Sequence, residues 1–144
     1  MNMKAIILAA GRGNRLRPLT DTIPKPLITI NQIPIIDRLF SSLPDEIDEV
    51  VIVVEHLKEK IKEHVGDLFY NRKIFYVDQA HMRGTFGALS SAKDLLSPGE
   101  RFLVVNGDDI YSKEELEMHL HHKRAFGIQK MIMPGYHSIH LTAD

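Results

Sequence analysis

"AIILAAGRGNRLRPLTDTIPKPL", residues 5–27, joins an apolar run, Ala5 to Leu8, to a stretch with two glycines, three arginines, one lysine and three prolines. The apolar run reads as a buried first strand. A strand that opens into a basic, glycine-punctuated loop points to a phosphate site at the end of a sheet. Three further runs rich in β-branched residues, Val50 to Val54, Lys73 to Val77 and Phe102 to Val105, read as strands too, and all four are expected to be covered on both faces. Between them lie segments of helical period. These are Ile35, Ile36, Leu39, Phe40 and Leu43 after Pro34, which suits a first helical turn; Leu57, Ile61, Val65 and Leu68; and Ala88, Leu89, Ala92, Leu95 and Leu96. Strand and helix alternate, which predicts an α/β chain with a mostly parallel sheet. Ser112 with Glu115 three residues on forms a capping box, opening a helix expected to run to about Arg124. Beyond Gly127 the pattern weakens, and "YHSIHLT" after the turn pair Pro134 and Gly135 alternates like part of an exposed strand pair.

With 144 residues, 44% of them hydrophobic, the chain is about one domain long and has enough apolar surface for a packed core. A formal charge of −1, from 18 basic and 19 acidic residues, argues against a general nucleic-acid binder, whose phosphate contacts need a net basic face. The absence of cysteine excludes disulfides, thiolate metal sites and a cysteine nucleophile, and fits a reducing compartment. Lys4 and "AIILAA" imitate a signal peptide, but the run is short and Arg12, Arg15 and Arg17 follow at once. No stretch approaches the roughly 20 apolar residues that span a bilayer, so a soluble, cytoplasmic protein without a membrane partner is expected.

Two standard phosphate loops fail against residues 8–27. The P-loop needs a Gly-Lys-Ser/Thr ending with an earlier glycine, and the stretch has neither. The dinucleotide loop needs a third glycine where Leu16 stands and an acidic residue about 20 positions on, for which Glu55 lies too far along. There remain two bare backbone positions, Gly11 and Gly13, where amides can approach phosphate oxygens. Arg15 offers a planar donor fork and Lys25 a mobile point charge. Pro18, Pro24 and Pro26 stiffen the intervening chain. From residue chemistry alone, a solvated basic loop after a strand stands as the other reading.

The stretch resembles the signature of the nucleoside-diphosphate-sugar pyrophosphorylases, the sugar-1-phosphate nucleotidylyltransferases, whose loop runs Gly-x-Gly-Thr/Ser-Arg-Leu-x-Pro-Leu-Thr up to Pro-Lys-Pro. One position departs: Asn14 stands where the family carries a small hydroxyl residue, and its amide can still hydrogen-bond a phosphate oxygen. The resemblance implies a Rossmann-like three-layer α/β/α fold. It sets Leu8, Ala10, Gly11, Gly13 and Asn14 against the nucleotide, Arg15 on the departing pyrophosphate and Lys25 at the phosphorus that is attacked. "DQAHMRGTFGAL" is similar to the family's base-reading segment, with Gln79 on the base edge and Gly84 and Thr85 beside the nucleoside. By itself that segment reads equally as a turn and an N-cap. "VVNGDDIY" puts Gly107, Asp108 and Asp109 after a strand, at the carboxyl edge where open α/β sheets bind ligands. Alone it reads as a magnesium carboxylate or as an Asp-rich turn. The resemblance aligns Asp108 with the family's Mg²⁺ aspartate and leaves Asp109 at the variable next position. His119 and His122 share a helix face without an evident third ligand, so a solvated face is expected there.

The resemblance implies magnesium-dependent nucleotidyl transfer in nucleotide-sugar biosynthesis. A sugar-1-phosphate or similar phosphomonoester attacks the α-phosphorus of a nucleoside triphosphate and pyrophosphate leaves, with Arg15, Lys25 and Asp108 as the catalytic set. Residues 1–144 read as one nucleotidyltransferase-like domain, with a nucleotide-binding half over about 1–112 and a short extension over 113–144. It resembles a truncated catalytic domain: family members continue further and supply an acceptor pocket and a second metal carboxylate. The alternative is a catalytically impaired triphosphate-binding module or subunit that completes its site with another chain. An unfinished sheet leaves an apolar edge, so a homo-oligomer is expected.

Overall fold

The computed structural model describes residues 3–79 and 84–122. Strand β1 (Met3–Leu8) leads into a loop of three short 3₁₀ turns, Asn14–Leu16, Leu19–Asp21 and Lys25–Leu27. A small hairpin of β2 (Thr29–Ile30) and β3 (Ile33–Pro34) follows, then α1 (Ile35–Ser42), β4 (Ile47–Val54) and α2 (Lys58–Val65). The remaining elements are β5 (Leu68–Phe69), β6 (Arg72–Asp78), α3 (Gly84–Ser91), β7 (Phe102–Asn106) and α4 (Lys113–Leu120).

The main sheet has the order β5-β6-β4-β1-β7, with β5 antiparallel and the other four parallel. The chain steps outward from β1 to β4 to β6, then returns across β1 to β7. Leu8 at the end of β1 therefore lies between Val53 on one side and Asn106 on the other. A reversal of this kind leaves a crevice beyond the carboxyl ends of the two strands, because the connections leave in opposite directions.

The alternation of side chains along each strand divides the core between two faces. Ala5, Ile7, Val50, Ile52, Val54, Ile74 and Val105 meet Ile36, Leu39 and Phe40 of α1, Ile61 and Val65 of α2 and Leu116 of α4. Ile6, Val51 and Val53 meet Ala88 and Ala92 from α3 and its end. These are the three layers α/β/α.

Coverage on both faces holds for β1 and β4 but not for the flanking parallel strands. Phe75 of β6 is 38% exposed, and Phe102 and Val104 of β7 are 39% and 37% exposed, because α3, the one helix on the second face among the described residues, does not reach across all of it. Pro34 precedes α1 as expected, and the capping box of Ser112 and Glu115 opens α4, which ends at Leu120 rather than near Arg124. Helix α2 is bounded more tightly than its apolar period suggests. Leu57 is its N-cap with φ 51°, Gly66 ends it with φ 69°, and Leu68 lies 66% exposed in β5. Leu95 likewise falls in a short turn, 37% exposed. Two hairpins were not expected. Each turns on two residues of positive φ, Asn31 and Gln32 in one and Tyr70 and Asn71 in the other, the backbone of a type I′ turn. The expected strand pair around Pro134 and Gly135 lies outside the described residues.

Candidate active site

Beyond the ends of β1 and β7 the crevice opens into a cleft of about 500 Å³. The loop after β1 forms much of its wall, and its curvature starts at Gly13. That residue has φ 62°, and a Cβ there would stand 2.8 Å from Cγ2 of Thr20. Gly11, by contrast, has open space around it. Thr20 is almost fully buried, and its hydroxyl donates to the Gly13 carbonyl at 2.8 Å. Nε2 of His56 donates to the Thr20 carbonyl at 2.9 Å, and Nζ of Lys60 donates to the Thr22 carbonyl at 2.5 Å. The turn after β4 and the start of α2 thus anchor the loop from behind.

The three arginines of the loop differ in their partners. Arg12 reaches Glu55 at 3.6 Å and Arg17 reaches Asp21 at 3.2 Å. Arg15 has no acidic partner among the described residues and lines the cleft. Lys25 stands between Pro24 and Pro26, both buried, and its ammonium pairs with Oδ2 of Asp108 across 83 residues of sequence. Two buried prolines fix the backbone from which the lysine projects.

On the opposite strand, the Gly107 N–H donates to the Leu8 carbonyl at 2.9 Å and carries the β1–β7 ladder one residue further. A Cβ on Gly107 would lie 3.1 Å from Ala9 Cβ and Ile7 Cγ2, so the close approach needs a glycine. It delivers Asp108 to the cleft. Asp109 is turned away into a separate knot, in which its Oδ2 accepts from Asn106 Nδ2 at 2.8 Å and from the Tyr111 hydroxyl at 3.4 Å. The same hydroxyl accepts the Asn106 N–H at 3.0 Å, and burial pushes the Tyr111 phenol up to about 12.

Every site residue singled out from the sequence lines this cleft. Leu8, Ala10, Gly11, Gly13, Asn14, Arg15 and Lys25 come from β1 and its loop, Gln79 from the end of β6, Gly84 and Thr85 from the start of α3, and Asp108 from the turn after β7. Residues 80–83, between Gln79 and Gly84, lie outside the described residues. Sequence reasoning passed over Asn106 and Ala88, which also line the cleft, and over Thr20, His56 and Tyr111 behind it. Asn106 alone had a signal, standing directly before Gly107 and Asp108 at a strand end. Among the described residues no group of three or more His, Asp or Glu side chains converges as a metal cage. No helix among them is long and apolar enough to cross a membrane.

The family model for nucleotidyl transferase matches residues 4–137. The bifunctional protein GlmU of Methanocaldococcus jannaschii is 40% identical over 133 residues, which make up 92% of this chain and 31% of that protein. N-acetylmuramate alpha-1-phosphate uridylyltransferase of Neisseria meningitidis serogroup B is 44% identical over 109 residues, 74% of this chain and 47% of that one. UDP-glucose pyrophosphorylase from Acinetobacter baumanii superposes with a TM-score of 0.72 at 18% identity, over 84% of this chain and 53% of that one, a likeness of fold. The chain thus spans between about a third and about half the length of these relatives. Matched by the family model along nearly its whole length, the chain belongs to the nucleotidyl transferase family.

Proposed function

We propose that the cleft binds a nucleoside triphosphate with Mg²⁺ and directs transfer of its nucleotidyl group to a sugar-1-phosphate or similar phosphomonoester, releasing pyrophosphate. The observation that carries this reading is the convergence of Arg15, Lys25, Gln79 and Asp108, from three separate parts of the chain, on one cleft at the reversal of strand order. Arg15, with no acidic partner among the described residues, suits phosphate oxygens that become pyrophosphate. Lys25 suits the α-phosphoryl group, where charge shifts during transfer. The acceptor is itself a phosphate anion, so no side chain need act as general base.

The residues fit magnesium. Asp108 supplies one hard carboxylate oxygen that already faces a cation, and Mg²⁺ is commonly held by one or two carboxylates together with phosphates and water. When bound, the ion would neutralise phosphate charge and align the triphosphate. Asp109, engaged by Asn106 and Tyr111, serves the turn instead.

Pyrophosphate release across the four nucleoside triphosphates and a panel of sugar phosphates and phosphocholine tests the reading. UTP with a sugar-1-phosphate is the first pair to try, because two of the relatives are named for uridine nucleotides. Release that needs both substrates and a divalent ion is the expected result. A second reading is a triphosphate-binding module whose acceptor wall comes from outside the described residues. Triphosphate binding without release for any acceptor selects it. Either reading is compatible with self-association through β7, one of the two edge strands of the main sheet among the described residues, and sedimentation velocity tests that.

A further inference from the structure

We propose that Lys25 keeps Asp108 closed to divalent cations until a triphosphate arrives, so that metal and nucleotide enter the cleft together. The inference rests on the assignment of the cleft to a triphosphate and Mg²⁺, and adds to it a coupling between the two.

The Lys25 ammonium sits directly on the carboxylate oxygen Oδ2 of Asp108. Both side chains are about one third exposed, at 35% and 31%, so a ligand in the cleft can reach either one. Neither partner is placed by chance. The lysine backbone is held by the flanking buried prolines and by the Ile28 N–H, which donates to the Lys25 carbonyl at 3.1 Å. The aspartate backbone is held by the bond from Gly107 to Leu8.

A divalent ion arriving alone meets an oxygen already paired with a positive charge. To bind, it must displace the ammonium and then tolerate it a few ångströms away, a repulsion that a half-open cleft screens only in part. Among the described residues no neighbouring carboxylate offers an alternative seat. Asp109 is tied to Asn106 and Tyr111, and the described residues hold no cluster of acidic or histidine side chains. A triphosphate removes the conflict, because it gives Lys25 a new anionic partner and gives the ion further oxygen ligands. Metal and triphosphate each make room for the other, which is positive coupling between two ligands. Lys25 therefore has one task before the reaction and another during it.

The test measures free Mn²⁺ by electron paramagnetic resonance, with and without UTP, in the full chain and its variants at neutral pH. Lys25→Met keeps the length of the side chain and removes its charge; Lys25→Gln is a second neutral variant, and Lys25→Arg keeps the charge. The expected result is that both neutral variants bind Mn²⁺ about tenfold more tightly than the unsubstituted chain in the absence of UTP, and that Lys25→Arg does not. Adding Asp108→Asn to Lys25→Met should abolish the gain. The proposal is overturned by neutral variants with unchanged or weaker Mn²⁺ affinity, or by a gain that survives Asp108→Asn. It is also overturned if UTP and Mn²⁺ fail to strengthen each other in the unsubstituted chain. Its fate separates from that of the catalytic reading: absence of pyrophosphate release alongside the expected Mn²⁺ results leaves the gate standing in a binding module.

Discussion

Asp108 and Asp109 are chain neighbours with different partners, and that difference is measurable. Asp108 lines the cleft, whereas Asp109 spends its carboxylate on Asn106 and Tyr111. Asp108→Asn should therefore weaken magnesium-dependent triphosphate binding by tenfold or more, and Asp109→Asn should change it little; calorimetric titration with and without Mg²⁺ distinguishes them. Equal losses would remove Asp108 from its assigned place. Arg15 and Lys25 should separate kinetically where turnover is detected. Arg15→Ala meets charge present in the ground state and raises KM for the triphosphate, whereas Lys25→Ala removes stabilisation that grows during transfer and lowers kcat. Lys25→Ala with an unchanged kcat and a raised KM would place the lysine in ground-state binding alone. The two loop glycines should part as well. Gly13→Ala combines a positive φ with a contact on Thr20 and should cost about 1–2 kcal/mol of stability, read from urea unfolding. Gly11→Ala meets open space, so its fold should be intact, and any loss it shows should be in triphosphate affinity.

At the scale of elements, the loop after β1 depends on its rear anchors. His56→Ala frees the carbonyl of Thr20, the residue whose hydroxyl holds the curve at Gly13, whereas His56→Gln retains a donor. The alanine variant should raise the triphosphate dissociation constant several-fold and the glutamine variant should recover part of the loss; equal behaviour of the two would deny His56 that role. Arg72 braces another junction. Its guanidinium donates to the carbonyls of Leu43, Pro44, Ile47 and Tyr70, tying the turn before β4 to the β5–β6 hairpin. Arg72→Met should cost about 2 kcal/mol, because it strands several of these acceptors, with thermal unfolding as the measure. Which elements could be read in advance follows from the range of the interactions that make them. The capping box of α4 and the apolar face of α1 lie within one segment, and both were legible. The hairpins pair only two residues on each side, β2, β3 and β5 being too short to show a period, and their turns use Asn31-Gln32 and Tyr70-Asn71 rather than a pair ending in glycine. Leu68 kept the helical spacing although Gly66 had already ended α2, which is how a periodicity overruns a boundary.

For the molecule as a whole, two phenols report on packing. Burial pushes both Tyr76 and Tyr111 up to about 12, whereas a free phenol ionises near 10. A folded pKa above the unfolded one means that their contribution to stability is complete below about pH 10 and is lost as pH rises toward about 12. Alkaline unfolding should begin in that window, and Tyr76→Phe or Tyr111→Phe should make it less steep when stability is followed against pH. The cleft was legible as a set of residues at the carboxyl edge of a parallel sheet, and which strands lie side by side there was not. Arg15, Lys25, Gln79 and Asp108 could be picked out by residue type and by position after a strand, but their meeting depends on β7 returning beside β1. The contact of Lys25 with Asp108, and the supports from His56 and Tyr111, depend on side-chain placement that no spacing along the chain encodes.

That return of β7 also orders events during synthesis. β1 acquires β4 as its first neighbour early, and His56 and Lys60 follow within a few residues to secure the loop. Its other edge waits for residues 102–106 to leave the ribosome, and until then Lys25 has no Asp108 to meet. Nascent chains arrested after β6 should resist protease at the loop yet gain nothing from added triphosphate and Mg²⁺. Chains long enough to fold β7 and its turn should gain from both, so that ligand rescue begins as a step late in translation.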